Sequence, residues 1–257
     1  MTKRRLGQHF LFDPTILRRI IQSAKVSEND TVVEIGPGPG RLTRLLSEQV
    51  KKVIAIELDH ALVEKLKGEF FGIGSVEIIQ GDALKFFYEG IGNFKVVGNI
   101  PYYITTPLIF RLLKAKAALQ SMTLTMQKEV AERIVATPGT KDYGVLSIMA
   151  QYHTLPELKF IIQKESFRPM PRVDSAVVHM TVFSVPSVPV MNEKFFFSIV
   201  RTAFAQRRKM LGNSLKPFGK HIKEILADAG IDPVRRPETL SINEFVKLSD
   251  ILSEKRI

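Results

Sequence analysis

Asn99-Ile100-Pro101-Tyr102-Tyr103 puts an amide, a β-branched residue, a proline and two phenols into five positions, directly after the apolar run at residues 94–97 and Gly98. That mixture suits a core poorly and suits the holding of a flat, polar ring well. The proline fixes its own φ and biases Ile100 towards extended backbone, so the Asn99 amide and neighbouring carbonyls project in a defined geometry. Amide and carbonyl oxygens so placed accept both hydrogens of an exocyclic amine. A tyrosine ring beside them stacks on the base carrying that amine, a contact worth roughly 1–3 kcal/mol per base. Taken alone, the stretch is equally a strand ending in an Asn/Pro turn.

The elements upstream bring further polar groups to the same place. Thr31–Ile35 has a strand pattern, Gly36-Pro37-Gly38-Pro39-Gly40 is a glycine-rich turn, and Leu42, Leu45 and Leu46 follow at helical spacing. A strand, glycine turn and helix in that order form a nucleotide-binding unit, in which glycines such as Gly36 and Gly38 let the backbone approach a ligand closely. The spacing is G-x-G-x-G, not the G-x-G-x-x-G of dinucleotide enzymes. A second strand at residues 53–56 ends in Glu57-Leu58-Asp59, and Glu57 lies 21 positions after Gly36, where a carboxylate grips ribose hydroxyls. A third strand at residues 76–79 runs into Gln80-Gly81-Asp82-Ala83, and a fourth ends at Asn99. In an open α/β sheet these four ends share one crevice. Each residue alone could be an ordinary strand-end cap.

The rest of the chain supplies the frame. Lys3, Arg4, Arg5, His9, Phe10 and Phe12 make a basic and aromatic segment that is expected to fold over a site, before Asp13-Pro14 opens a helix. A helix carrying Leu108, Ile109, Leu112 and Leu113 precedes an apolar strand at 122–126 and a helix at 128–136. Residues 137–142 are expected to form a mobile, solvent-facing lid, and 144–153 another helix. Strands at 158–162 and 176–183 close the sheet with antiparallel pairing. Between them the prolines of Phe167-Arg168-Pro169-Met170-Pro171 stiffen a loop, in which the residues alone favour a buried Phe167. Ser184-Val185-Pro186-Ser187-Val188-Pro189 is a linker. Beyond it the pattern is helical, and residues 194–223 hold eight Lys or Arg and no Asp or Glu. Arg207-Arg208-Lys209 follows Phe195, Phe196, Phe197 and Phe204, a pattern expected to contact nucleic-acid phosphates. The division is thus residues 1–185, cofactor-binding, and 190–257, helical and basic.

Composition narrows the partners. Of 257 residues, 37 are Lys or Arg and 26 Asp or Glu, a formal net charge of +11 that favours a polyanion. No apolar run approaches a membrane span, and the N-terminus resembles neither signal nor transit peptide. The absence of cysteine excludes disulfides, thiol catalysis and cysteine-bound zinc. A cytoplasmic monomer without a metal is expected.

The glycine loop and Glu57 could serve NAD, a flavin or S-adenosylmethionine, and the fourth strand end discriminates. Hydride transfer has no use for a grip on an amine, whereas methyl transfer to a base amine does. The motifs Gly7-Gln8-His9-Phe10-Leu11, Glu34-Ile35-Gly36-Pro37-Gly38-Pro39-Gly40, Glu57-Leu58-Asp59, Gly81-Asp82-Ala83, Asn99-Ile100-Pro101-Tyr102, Phe167-x-Pro169-x-Pro171-x-Val173-x-Ser175, Gln206-Arg207-Arg208-Lys209 and Arg236-x-Glu238-x-Leu240-Ser241 together resemble the KsgA/RsmA family of ribosomal RNA adenine dimethyltransferases. The resemblance spans essentially the whole chain.

It implies a Rossmann-like, class I S-adenosylmethionine-dependent methyltransferase domain with a mostly parallel sheet and an antiparallel last strand, plus a small all-helical C-terminal domain. The implied reaction is dimethylation of two adjacent adenosines in a 3′-terminal hairpin of 16S RNA in the small ribosomal subunit. His9 and Leu11 would contact the methionine end of the cofactor, Gly36 its loop side, Glu57 the ribose and Asp82 the adenine. Asn99 would bridge cofactor and target amine, while Tyr102 and Phe167 would sandwich the target base. Two rivals stand beside it: a large-subunit methyltransferase of the macrolide-resistance type, and a non-catalytic RNA-binding assembly factor, which would be marked by loss of Glu57, Asp82 or Asn99.

Overall fold

The computed structural model describes residues 8–254, which form two compact units. The first comprises the described chain up to Ala131 together with Leu155–Ser184. Its short strand β1 (Phe10–Leu11) leads into helix α1 (Pro14–Ala24). Asp13 caps α1 as the Asp-Pro pair requires, its Oδ1 accepting from Thr15 N at 2.8 Å. Strands and helices then alternate: β2 (Thr31–Ile35), α2 (Arg41–Ser47), β3 (Lys52–Glu57), α3 (His60–Glu69), β4 (Val76–Gln80), β5 (Phe94–Asn99), α4 (Thr105–Leu113) and β6 (Leu119–Gln127). After α5 (Lys128–Val135) and α6 (Val145–His153) come β7 (Thr154–Ile162), β8 (Phe167–Arg168) and β9 (Ser175–Val182).

Seven strands form one sheet in the order β4-β3-β2-β5-β6-β9-β7. Pairs β2–β3, β3–β4, β2–β5 and β5–β6 are parallel, and β9 runs antiparallel to β6. The central strands are continuous runs of Val and Ile because helices cover both faces; Val32, Val33, Val53, Val96 and Val97 are fully buried. From β2 the chain winds outward through β3 to β4, then returns to β5 on β2's other side. The crevice between the ends of β2 and β5 is therefore a topological switch point, where open α/β sheets bind ligands. Gly98 permits the two strands to meet there, since a Cβ would lie 2.8 Å from the Ile35 carbonyl oxygen.

The second unit comprises Glu132–Thr154 and the described residues from Val185 onward. It contains α6 and, beyond the linker, α7 (Glu193–Ala205), α8 (Leu211–Ser214), α9 (Ile222–Asp228) and α10 (Ile242–Glu254). One boundary between the units falls within the linker, at Ser184 and Val185, and residues 132–154 join the helical unit rather than the sheet unit in which they were expected. The cause is hydrophobic: Tyr143, Ile148 and Tyr152 bury against Phe196, Phe197, Ile199 and Val200. All four phenylalanines next to the basic run pack here as well, Phe196 and Phe197 buried, Phe195 against Phe218 and Phe204 against Phe245, so they build a core and not a stacking surface.

The expected mobile lid at 137–142 is pinned within this unit. Gly139 N donates to Glu238 O at 2.7 Å, and Arg207 Nη2 donates to the carbonyls of Lys141 and, at 3.0 Å, Tyr143. Lys3, Arg4, Arg5 and Gly7 lie outside the described residues.

Candidate active site

The strand ends converge as their spacing requires. His9, Gly36, Glu57, Asp82, Asn99 and Tyr102 all line a single crevice of about 750 Å³ including its open mouth. An adjoining cavity shares Phe10, Gly36 and Asn99 with it and is lined by Leu11 and Glu34.

Glu57 ends β3 and is 2 % exposed. Its Oε1 accepts from the amides of Leu58 (2.9 Å) and Asp59 (3.0 Å), and its Oε2 accepts from Gly38 N at 3.2 Å. An ionised carboxylate offers about four acceptor positions, so these three bonds fix the group while leaving capacity for a ligand hydroxyl. Gly38 is required by conformation and by space: its φ is +56°, and a Cβ would come within 2.7 Å of the Phe10 ring. Asp82 divides itself similarly. One oxygen caps the strand end by accepting from Leu84 N at 2.9 Å, and the residue faces the crevice. The cap reading and the binding reading are therefore compatible at both positions.

Asn99 ends β5. Its Nδ2 donates to the His9 carbonyl at 2.7 Å, which turns Oδ1 into the end available to accept from an amine. Tyr102, one turn on, shares a 2.7 Å hydrogen bond between its Oη and Ser175 Oγ at the start of β9. Burial raises the Tyr102 phenol above its ordinary value of 10.0, so the ring remains neutral. The His9 ring stacks on it with centroids 5.5 Å apart and planes inclined by 28°.

Two sequence expectations need correction. Phe167 does not line the crevice; it pairs with Leu11 across β1 and β8, and its ring is fully buried in one cluster with Leu11, Leu17, Ile20 and Val177. The residues' own preference for a buried Phe167 holds for this arrangement, and the base sandwich does not form in it. Arg207, expected on phosphate, donates through Nη2 to the loop carbonyls of Lys141 and Tyr143, whereas Arg208 and Lys209 are exposed.

Two residues had no role assigned from sequence. Ser175 appeared only within a motif, and its contact with Tyr102 crosses 73 positions. Glu34 lies on a central strand, 1 % exposed, with Oε2 lacking a hydrogen-bond partner. Burial, with the nearby Glu57 charge adding to it, pushes its carboxyl up to about 8. An acid among Val32, Val33 and Ile35 of a central strand was the available signal. Among the described residues no cluster of three or more His, Cys, Asp or Glu is placed to hold a metal, and no helix is long and apolar enough to cross a membrane.

The crevice thus brings the strand-end carboxylates Glu57 and Asp82, Gly36 of the glycine loop and the Asn-Ile-Pro-Tyr stretch together. The profile for ribosomal RNA adenine dimethylase matches residues 1–254. The chain belongs to the ribosomal RNA adenine dimethylase family. Among its relatives is a ribosomal RNA small subunit methyltransferase A from Clostridium botulinum, 46% identical over 96% of this chain and 92% of the relative. A dimethyladenosine transferase from Plasmodium falciparum superposes with a TM-score of 0.87 at 30% identity, covering 97% of this chain and 99% of that one. The 23S rRNA methyltransferase ErmE superposes at 0.76 with 26% identity, covering 95% and 99%. The dimethylase family thus accounts for both the class I methyltransferase fold and the antiparallel β9.

Proposed function

We propose that this chain transfers methyl groups from S-adenosylmethionine to N6 of two adjacent adenosines in the 3′-terminal hairpin of small-subunit ribosomal RNA, in the cytoplasm, during subunit assembly. The observation that carries the reading is the single crevice in which Glu57 and Asp82 stand at one end and Asn99 and Tyr102 at the other. The residues suit the cofactor. Glu57 holds acceptor capacity for ribose hydroxyls, Asp82 can accept from an adenine amine, and Gly36 opens the wall between them and Asn99.

When bound, S-adenosylmethionine supplies an electrophilic methyl on a sulfonium that leaves as a neutral thioether. The chain's part is orientation. An adenine amine is weakly nucleophilic because its lone pair is conjugated with the ring. Asn99 Oδ1 and a backbone carbonyl of the same stretch accept its hydrogens, favouring a tetrahedral nitrogen whose lone pair is free for in-line attack. Tyr102 supplies a stacking face for a base drawn out of its helix, offsetting an unstacking cost of a few kcal/mol. The nitrogen sheds its proton after the methyl has transferred, so the site needs no strong base.

Arg208 and Lys209 are the exposed cations proposed to meet RNA phosphates. The relative named for the small subunit is 46% identical and the 23S enzyme 26%, which favours the small-subunit target. The test is mass spectrometry of digested RNA after incubating the protein and cofactor with unmethylated small subunits and, separately, large subunits. Dimethyladenosine in small-subunit RNA is expected; its absence there would overturn the reading, and its appearance only in the large subunit would move the target.

A further inference from the structure

We propose that His9 belongs to the target-base site: in the free protein its imidazole holds the place on Tyr102 that the target adenine takes, and the incoming nucleotide displaces the strap formed by residues 8–12. The inference rests on the methyltransferase reading above. Three contacts carry it. The His9 ring stacks on Tyr102 at 5.5 Å between centroids, within the 4.5–7 Å range of aromatic pairs. A purine stacked on that face needs the same slot, and two rings cannot share it. The Nδ1–H of His9 donates to Pro169 O at 2.7 Å, so the imidazole is held as a base would be, by one flat face and one polar edge. Its backbone carbonyl occupies the Asn99 amide at 2.7 Å, tying the strap to the residue proposed to receive the amine.

The same strap adds Leu11 to the cluster that buries Phe167. In the register of β1 and β8, Leu11 lies opposite Phe167 and Phe10 opposite Arg168. This is a ladder of two residues on each side, too short to be stable without the packing around it. Lifting the strap uncovers the face of Tyr102 and the amide of Asn99 together, while Phe167 keeps Leu17, Ile20 and Val177 of its core cluster. The Tyr102 half of the sandwich that the family resemblance implies is then available in the open form and closed by the chain itself in the free form. Until RNA arrives, a ring of this chain keeps Tyr102 covered.

The strap can be locked. The chain has no cysteine, so the pair Phe10→Cys with Arg168→Cys offers a single bridge between directly opposed antiparallel residues, whose Cα separation of about 4.5–5.5 Å suits a disulfide. The oxidised protein is expected to bind S-adenosylhomocysteine with the affinity of the reduced form, by calorimetry, yet to make no dimethyladenosine on unmethylated small subunits; a reductant restores it. An oxidised protein that methylates as fast as the reduced one, or that loses cofactor binding, overturns the proposal. If the reduced pair is inactive, His9→Ala in the natural chain decides. Removing the stand-in ring should lower the KM for subunits by about 2- to 10-fold, the range of one aromatic pair, and an unchanged or raised KM overturns it. A natural chain that makes no dimethyladenosine fails the methyltransferase reading instead.

Discussion

The crevice of the sheet unit and the basic run of the helical unit both concentrate polar side chains, and they use them differently. At the crevice, Glu57, Asp82 and Asn99 each tie part of the side chain to backbone and keep the rest for a ligand. Glu57 satisfies three amides and retains acceptor capacity. In the basic run, Arg207 directs its guanidinium to carbonyls at positions 141 and 143, and the neighbouring aromatics fill a core. A carboxylate at a strand end can be cap and ligand together, because its acceptors point several ways. A guanidinium whose Nη2 donates to loop carbonyls is fixed in place by them. Charge alone does not distinguish the two, whereas position at a strand end does.

The largest expected effect that would sharpen this contrast is at Asn99. Asn99→Ala should lower the rate of methyl transfer by about 10²–10³-fold, the typical loss when one preorganised polar group is removed from a reacting centre. Next comes Glu57→Gln, which keeps size and removes charge. Cofactor affinity should fall by about 10- to 100-fold, as for a hydrogen bond to a charged group, and calorimetry with S-adenosylhomocysteine measures it.

The basic run separates into two outcomes. Arg208→Glu with Lys209→Glu should weaken subunit binding and reduce the slope of log affinity against log salt by about one for each phosphate that is no longer neutralised. Arg207→Ala should instead cost about 1–3 kcal/mol in denaturant stability, because loop carbonyls lose their donor, while leaving the salt slope near that of the natural chain. Equal salt slopes for both variants would erase the distinction between a fixed guanidinium and a free one.

A pH-dependent effect is expected at Glu34. Its carboxyl is pushed up from 4.5 to about 8 in the folded chain, so the folded state holds a proton that the unfolded state has lost. The stability this contributes is complete below pH 4.5 and declines as the pH rises towards 8. Glu34→Gln should flatten that decline, as seen in melting temperatures measured across the range; an unchanged slope would remove Glu34 as its source.

Much of the crevice was legible because it is built from strand ends. The runs Thr31–Ile35 and 53–56 fixed where Gly36 and Glu57 emerge, and the Pro101 constraint fixed how Asn99 leaves β5. What escaped was long-range or context-dependent. The Ser175 hydroxyl meets Tyr102 only because β9 returns antiparallel to β6, a register no local pattern encodes. Residues 132–154 joined the helical unit because Tyr143 and Tyr152 find their apolar partners beyond the linker. Phe167 showed the limit of motif transfer: the residue is where the pattern puts it, and its ring is fully buried in a core cluster with Leu11, Leu17 and Ile20.

The central claim is that Asn99 acts on the target amine, in the crevice that also holds the methyl donor. Its most direct test is a single-turnover methylation by Asn99→Ala, saturated with S-adenosylmethionine and prebound to unmethylated small subunits, so that neither binding step enters the rate. The account predicts a rate about 10²–10³-fold below that of the natural chain, with subunit and cofactor affinities nearly unchanged. A single-turnover rate matching the natural chain would contradict it.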